Sequence, residues 1–477
     1  MLFHSLPFAI FFIIVFILYL TLSHKLQNRM LLIASYIFYG AWEWRYLGLL
    51  FVSTLTDYYC GLQIEKNADK LKKKKFVYLS VFINLTLLGI FKYYDFFAEN
   101  FESLMANFGI KTHPYFLNVA LPVGISFYTF QSISYTVDVY RGKLKACRNF
   151  LDFSLYVAFF PQLVAGPIER GTRLLPQILN ARSISKENIV KGLYCIFWGL
   201  FLKVVIADNM ADLVDPVYDL DQSTNGILTL IATYAFAIQI YCDFSGYSLI
   251  AIGLALLMGI ELMENFRRPY FSLNISDFWR RWHISLSSWF RDYMFSPLYL
   301  FFQNSSFIKN KSIELRHIIF FLLVLLATEF LLGLWHGAGW NYAFFGVYHA
   351  FLIGGYYLSK KYWDKLNKYL QIFLTFNLVC IGWLIFRSEN LSQSLMLVKS
   401  LFMGWSSSNE LVFPYLKQFL ILSCLLFSHE IVEEIKNKRY AILNAPNYIQ
   451  YLLYTCMIIG MILFGQFGVR KFIYFQF

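Results

Sequence analysis

Trp335-His336-Gly337-Ala338-Gly339-Trp340-Asn341 joins two apolar segments, 317–335 and 341–358, and sets an ionisable ring between stretches that read as membrane spans. A charged side chain at the centre of a bilayer costs roughly 2.5–3.5 kcal/mol on insertion scales, so ionisable groups there are paired or functional. Histidine is the side chain best suited to moving protons near neutral pH. The glycines permit close backbone approach, and Trp335 and Trp340 can wall a pocket. Two readings are open for His336: a general base for a hydroxyl or thiol, or a ring satisfied by a carbonyl in a packed helix contact.

The composition around this stretch is that of an all-α polytopic membrane protein. Of 477 residues, 58% are hydrophobic and 15% charged, against about 25% charged in a soluble domain. Eleven candidate spans follow: 7–22, 31–55, 77–94, 117–138, 192–212, 227–262, 317–335, 341–358, 369–386, 411–428 and 449–467. The segments 31–55 and 227–262 are long enough to be broken or tilted. The stretch 151–168, interrupted by Pro161, Gly166 and Pro167, reads as re-entrant or interfacial. Phe8 to Leu20 lacks a basic leader and a cleavage site, so it reads as a retained span. With no polar linker or internal repeat, residues 1–477 read as a single integral-membrane domain ending in an aromatic motif, 472–477.

The net charge of +12 sits in short loops, including Lys66 to Lys75, Arg141 to Arg148 and Lys360 to Lys365. The span list puts these on one side, which the positive-inside rule makes cytoplasmic, with the acidic loop Asp212–Asp221 opposite. The placement implies contact with anionic lipid, and no nucleic-acid-binding pattern accompanies it. Seven scattered cysteines show no zinc spacing, so no metal site or disulfide framework is expected. P-loop, HExxH, GxSxG and dinucleotide motifs are absent, which argues against an NTP-driven pump, a zinc protease and a serine hydrolase.

A second histidine lies in Asp277-Phe278-Trp279-Arg280-Arg281-Trp282-His283. On one helix Trp279, His283 and Ser287 would share a face; the plainer reading is an amphipathic interfacial helix. His349, thirteen residues beyond His336, would lie about 20 Å away on a continuous helix and would share its site only if the chain turned back. Asp243 either orients a histidine or pairs with an arginine such as Arg267 or Arg268. Trp335, Asn341 and Arg280 are supporting candidates. Histidine-assisted acyl transfer fits these residues, and so does a proton-coupled transporter or exporter using His and Asp as a relay.

Leu121 to Gln131, Phe160 to Ile168, Asp243 to Ser248, Asn265 to Tyr270, Asp277 to His283 and Trp335-His336-Gly337, in that order, resemble the bacterial membrane-bound O-acyltransferase (MBOAT) family of the alginate and peptidoglycan O-acetylation type. The resemblance implies a ring of tilted helices around a central tunnel, with His336 catalytic and His283 assisting. It implies a donor such as acetyl-CoA or another cytoplasmic acyl thioester, with no permanently bound cofactor. It also implies an extracytoplasmic SGNH-type O-acetyltransferase as partner, and residence in the bacterial cytoplasmic (inner) membrane. Phe472-Ile473-Tyr474-Phe475-Gln476-Phe477 resembles the terminal motif of the partner peptide in teichoic-acid D-alanylation, which makes Tyr474 a candidate acyl carrier; an interfacial aromatic belt is the alternative. D-alanyl transfer to teichoic acid is the neighbouring activity. A carrier motif within the chain favours O-acetylation of an envelope polysaccharide.

Overall fold

Backbone N–H and C=O groups find no water in a bilayer, so apolar segments satisfy them internally by forming helices. A computed structural model describes the chain except residues 165, 220–224, 304–312, 404, 406–409, 469, 471 and 474–477. Among the described residues the regular structure is entirely helical, with no strand. Among the described residues, seven helical stretches are long and apolar enough to cross a membrane: Lys70–Asn107, Lys186–Tyr218, Gly226–Leu257, Glu314–His336, Lys368–Arg387, Val412–Lys436 and Asn447–Phe464. Leu6–Thr21 is a shorter apolar helix.

The chain divides into two compact units. One comprises Met1–Ile196 with Ile250–Met263; the other comprises Phe197–Leu249 with Glu264–Phe477. In the first, the long segment expected at 31–55 is broken: His24–Glu43 ends, a 3-10 turn spans Trp44–Tyr46, and Leu47–Lys66 follows. The interrupted stretch 151–168 contains two short helices, Phe150–Ala158 and Phe160–Leu163, with Pro161 in the first turn of the second, where a missing N–H costs nothing. Asp57, fully buried, ties three helices together. It accepts from Ser80, from Asn84 Nδ2 at 2.8 Å and from Thr136 Oγ1 at 3.0 Å. Such polar contacts join helices where the hydrophobic effect supplies no drive.

The segment expected at 227–262 is one unbroken helix, Gly226–Leu257. In the second unit, Ile313–His336 and Trp340–Trp363 form a hairpin whose turn is Gly337 to Gly339. Their backbones approach closely. A Cβ at Gly346 would collide with the Glu329 carbonyl, and one at Gly333 with the Tyr342 carbonyl. Small residues at such crossings set the depth of helix packing, and here they place His336 at the bend.

Gly346→Ala is therefore expected to lower the melting temperature of purified protein, by the ~1–3 kcal/mol typical of overpacking. Gly355→Ala, on the same helix with nothing within 4 Å of the added carbon, should leave it unchanged or raise it. Equal behaviour of the two variants would remove the close approach as the cause.

Candidate active site

His336 is the last residue of its helix and is buried. Its ring lies edge-on to Phe386 at 5.3 Å and to Phe345 at 6.1 Å. Gly337 is obligatory here because a side chain would strike the Tyr342 ring. Trp335, buried, sits 5.1 Å from His336 and 5.9 Å from His283. One indole thus bridges the two imidazoles.

The single helical face expected for Trp279, His283 and Ser287 does not exist. The helix Ile275–Arg281 stops, and Ile284–Phe290 begins after His283, whose backbone is left-handed (φ 42, ψ 52). A bulky residue there is strained, commonly by ~1–3 kcal/mol, and persists only when its surroundings hold it. Asn265 supplies that hold. Its carbonyl accepts from Ile284 N at 2.9 Å, and its Oδ1 accepts from Ser285 N at 3.2 Å and Ser285 Oγ at 2.8 Å. Arg267 N donates back to Arg281 O at 2.9 Å.

The same Oδ1 lies 3.1 Å from His283 Nδ1. Since it already accepts from a backbone N–H, it is the acceptor in this contact as well. The His283 proton is therefore on Nδ1, and Nε2 carries the lone pair. His283 is fully enclosed, and burial pushes its imidazole down to about 3, so the ring stays neutral at physiological pH.

The chain does turn back, which brings His349 into the same aromatic wall. It lies 4.5 Å from Phe345, the ring that also faces His336, and its Nδ1 accepts from Trp279 Nε1 at 3.3 Å. His349 Nε2 packs against Gly382. Asn341 donates to the Ser388 carbonyl at 2.7 Å and so clamps the far side of the hairpin turn.

Asp243 pairs with neither expected arginine. Arg267 is taken by Glu264 at 2.6 Å, and Arg268 by Glu434 at 2.7 Å. Asp243 instead meets Lys203 Nζ at 2.8 Å. Sequence reading missed Lys203, although a lysine inside the apolar segment 192–212 was the signal. It also missed Asn265, which carries no charge to flag it, and Glu329, a carboxylate inside 317–335.

A cavity of about 680 Å³ adjoins this cluster, within the size range of small-molecule sites. Its walls include Ile284, next to His283, and Leu332, one turn before His336. Arg280, Arg291 and Lys360 line it, and so does Glu329, whose Oε2 has no hydrogen-bond partner among the described residues. No cluster of metal-binding residues occurs among the described residues. Tyr474 lies outside them.

Residues 36–388 match the membrane-bound O-acyltransferase family. The chain belongs to that family. It is a multi-pass membrane acyltransferase, and the all-helical architecture expected from the sequence stands. It is 40% identical to a protein of Pseudomonas putida named "Probable alginate O-acetylase", over 82% of this chain and 78% of that one. It is 34% identical to the peptidoglycan O-acetyltransferase of Helicobacter pylori, over 78% of this chain and 73% of the relative. The teichoic acid D-alanyltransferase of Bacillus subtilis is 34% identical over 56% of this chain and 69% of its own length.

Because His283 is held neutral, its contribution to stability is fully present above its unfolded pKa, 6.5, and is lost as pH falls toward 3. The melting temperature of the acyltransferase should therefore decline between pH 6.5 and 4, and less steeply in His283→Asn. Parallel declines in the two proteins would contradict a neutral buried ring. Asn265→Ala, which releases both the left-handed turn and the tautomer, should lower turnover by at least about tenfold.

Proposed function

We propose that this enzyme is an O-acetyltransferase of the bacterial cytoplasmic membrane. It takes an acetyl group from a cytoplasmic thioester, acetyl-CoA or an equivalent, for O-acetylation of an envelope polysaccharide of the alginate or peptidoglycan type. The convergence of His336 and His283 on Trp335, beside a cavity with three cations, carries this reading. The O-acetylation relatives match about four-fifths of the chain, whereas the D-alanyl relative matches 56%.

In the reaction, His336 takes the proton of the attacking hydroxyl. The oxygen adds to the thioester carbonyl carbon, the C–S bond breaks, and the proton passes to the departing sulfur. A neutral imidazole suits this task, and positioned bases of this kind contribute typically 10²–10⁴-fold. His283, with its lone pair on Nε2, acts as an acceptor: it holds an N–H or O–H of the reactants and does not polarise the carbonyl. Arg280, Arg291 and Lys360 offer their charges to donor phosphates. Lys360, in the last turn of the helix Trp340–Trp363, falls in a basic stretch expected on the cytoplasmic side, in keeping with a cytoplasmic donor.

Tyr474 is the proposed first acceptor. Its phenol, with an ordinary pKa near 10, needs a base to attack a thioester. The tyrosyl ester formed would be labile enough to pass its acetyl group to an extracytoplasmic SGNH-type transferase, the proposed partner.

His336→Ala should reduce glycan O-acetylation by at least ~100-fold while the protein inserts and purifies normally; wild-type acetylation in a well-expressed mutant overturns the base assignment. Tyr474→Phe removes only the hydroxyl and should abolish transfer to the glycan. Retention of full acetylation would leave Tyr474 as an aromatic contact.

A further inference from the structure

The chain leading to the C-terminus is drawn into the protein interior. After the helix Asn447–Phe464, Gln466 N donates to Val204 O at 3.0 Å, and its side chain reaches Asp212 at 3.0 Å. Arg470 pairs with Asp212 at 2.7 Å and with Asp215. Phe472 has no exposed surface and lies 4.5 Å from the Tyr247 ring and 5.6 Å from Phe244. Phe244 stands edge-on to His283 at 4.6 Å. Phe472 is thus one ring removed from the histidine, in the core.

Ile473, also buried, donates its backbone N–H to Asp243 Oδ2 at 2.7 Å. Asp243 belongs to a buried ionic group. Lys203 Nζ lies 2.8 Å from Asp243 and 2.9 Å from Asp208, and all three side chains are at most 4% exposed. A π-helical turn, Leu202–Ala207, brings Lys203 and Asp208 together five residues apart. One ammonium is shared between two carboxylates. A buried carboxylate in that position requires a further donor. The N–H of Ile473, more than two hundred residues along the chain, supplies one.

We propose that Lys203 and Asp243 are positioning residues that form a receptor for the enzyme's own C-terminal segment, holding residues 472–473 beside Phe244 and His283 for acyl transfer. The outer clasp, Arg470 with Asp212 and Asp215, guides the segment in, and the inner bond to Asp243 fixes its depth. This rests on the reading that the terminal segment takes part in transfer, but docking is measurable without any transfer.

Purified full-length enzyme in lipid nanodiscs is treated with trypsin, and release of the peptide after Arg470 or Lys471 is followed by mass spectrometry. Ile473→Pro deletes the N–H and leaves the ionic group intact; Ile473→Ala keeps the N–H and loses side-chain packing; Asp243→Ala removes the acceptor. Ile473→Pro and Asp243→Ala are expected to release the peptide at least tenfold faster than wild type, and Ile473→Pro to lose at least tenfold of glycan O-acetylation. Ile473→Ala should stay within about threefold of wild type on both measures. If Asp243→Ala does not fold, the Pro and Ala pair decides alone. An Ala variant as impaired as the Pro variant makes the contact one of packing and overturns the proposal. A Pro variant that keeps its tail protected, or frees its tail and still acetylates fully, overturns it too. Loss in Ile473→Pro together with full activity in Tyr474→Phe would sink the carrier role and leave the positioning role standing.

Discussion

A polar group buried without a partner costs several kcal/mol, and the irregular features of this chain are answers to that constraint. The backbone leaves helical geometry at His283, and Asn265 meets the exposed N–H groups with its own carbonyl and Oδ1. Asp57 is surrounded by hydroxyl and amide donors from other helices. Asp243 and Asp208 share Lys203, and the chain end completes the set. Polar satisfaction decides where the helices stop, cross and bend.

The candidate active site combines this constraint with aromatic packing. Trp335, Phe345 and Phe386 surround His336 with apolar rings, while the hydrogen bond from Asn265 sets the tautomer of His283. A neutral imidazole is the form a base needs. The neighbouring cavity differs in kind: three cations and the carboxylate of Glu329 line it among apolar side chains. The soluble acyl thioester proposed as donor would meet both environments side by side.

Much of this was legible in residue order. His336, Trp335 and His283, singled out in the sequence, lie together, and Arg280 lines the cavity. The expected helical face through Trp279 and Ser287 failed because spacing rules assume an unbroken helix, and Asn265, eighteen residues upstream, breaks it. The expected arginine partner for Asp243 failed because Glu264, close to Arg267 in sequence, and Glu434, on the helix Val412–Lys436, claim the two arginines. His349 was set aside on a distance that the turn at Gly337 to Gly339 removes.

The sequence by itself determined the membrane class, the apolar helices, the histidine pair and the family, since these depend on composition, periodicity and short motifs. Only the tertiary structure decided which donor each buried carboxylate receives, which nitrogen of His283 carries the proton, and that Phe472 lies in the core. Those outcomes depend on contacts between residues tens to hundreds of positions apart. Close crossings such as Gly333 over Gly346 create them, and no local pattern encodes the partner.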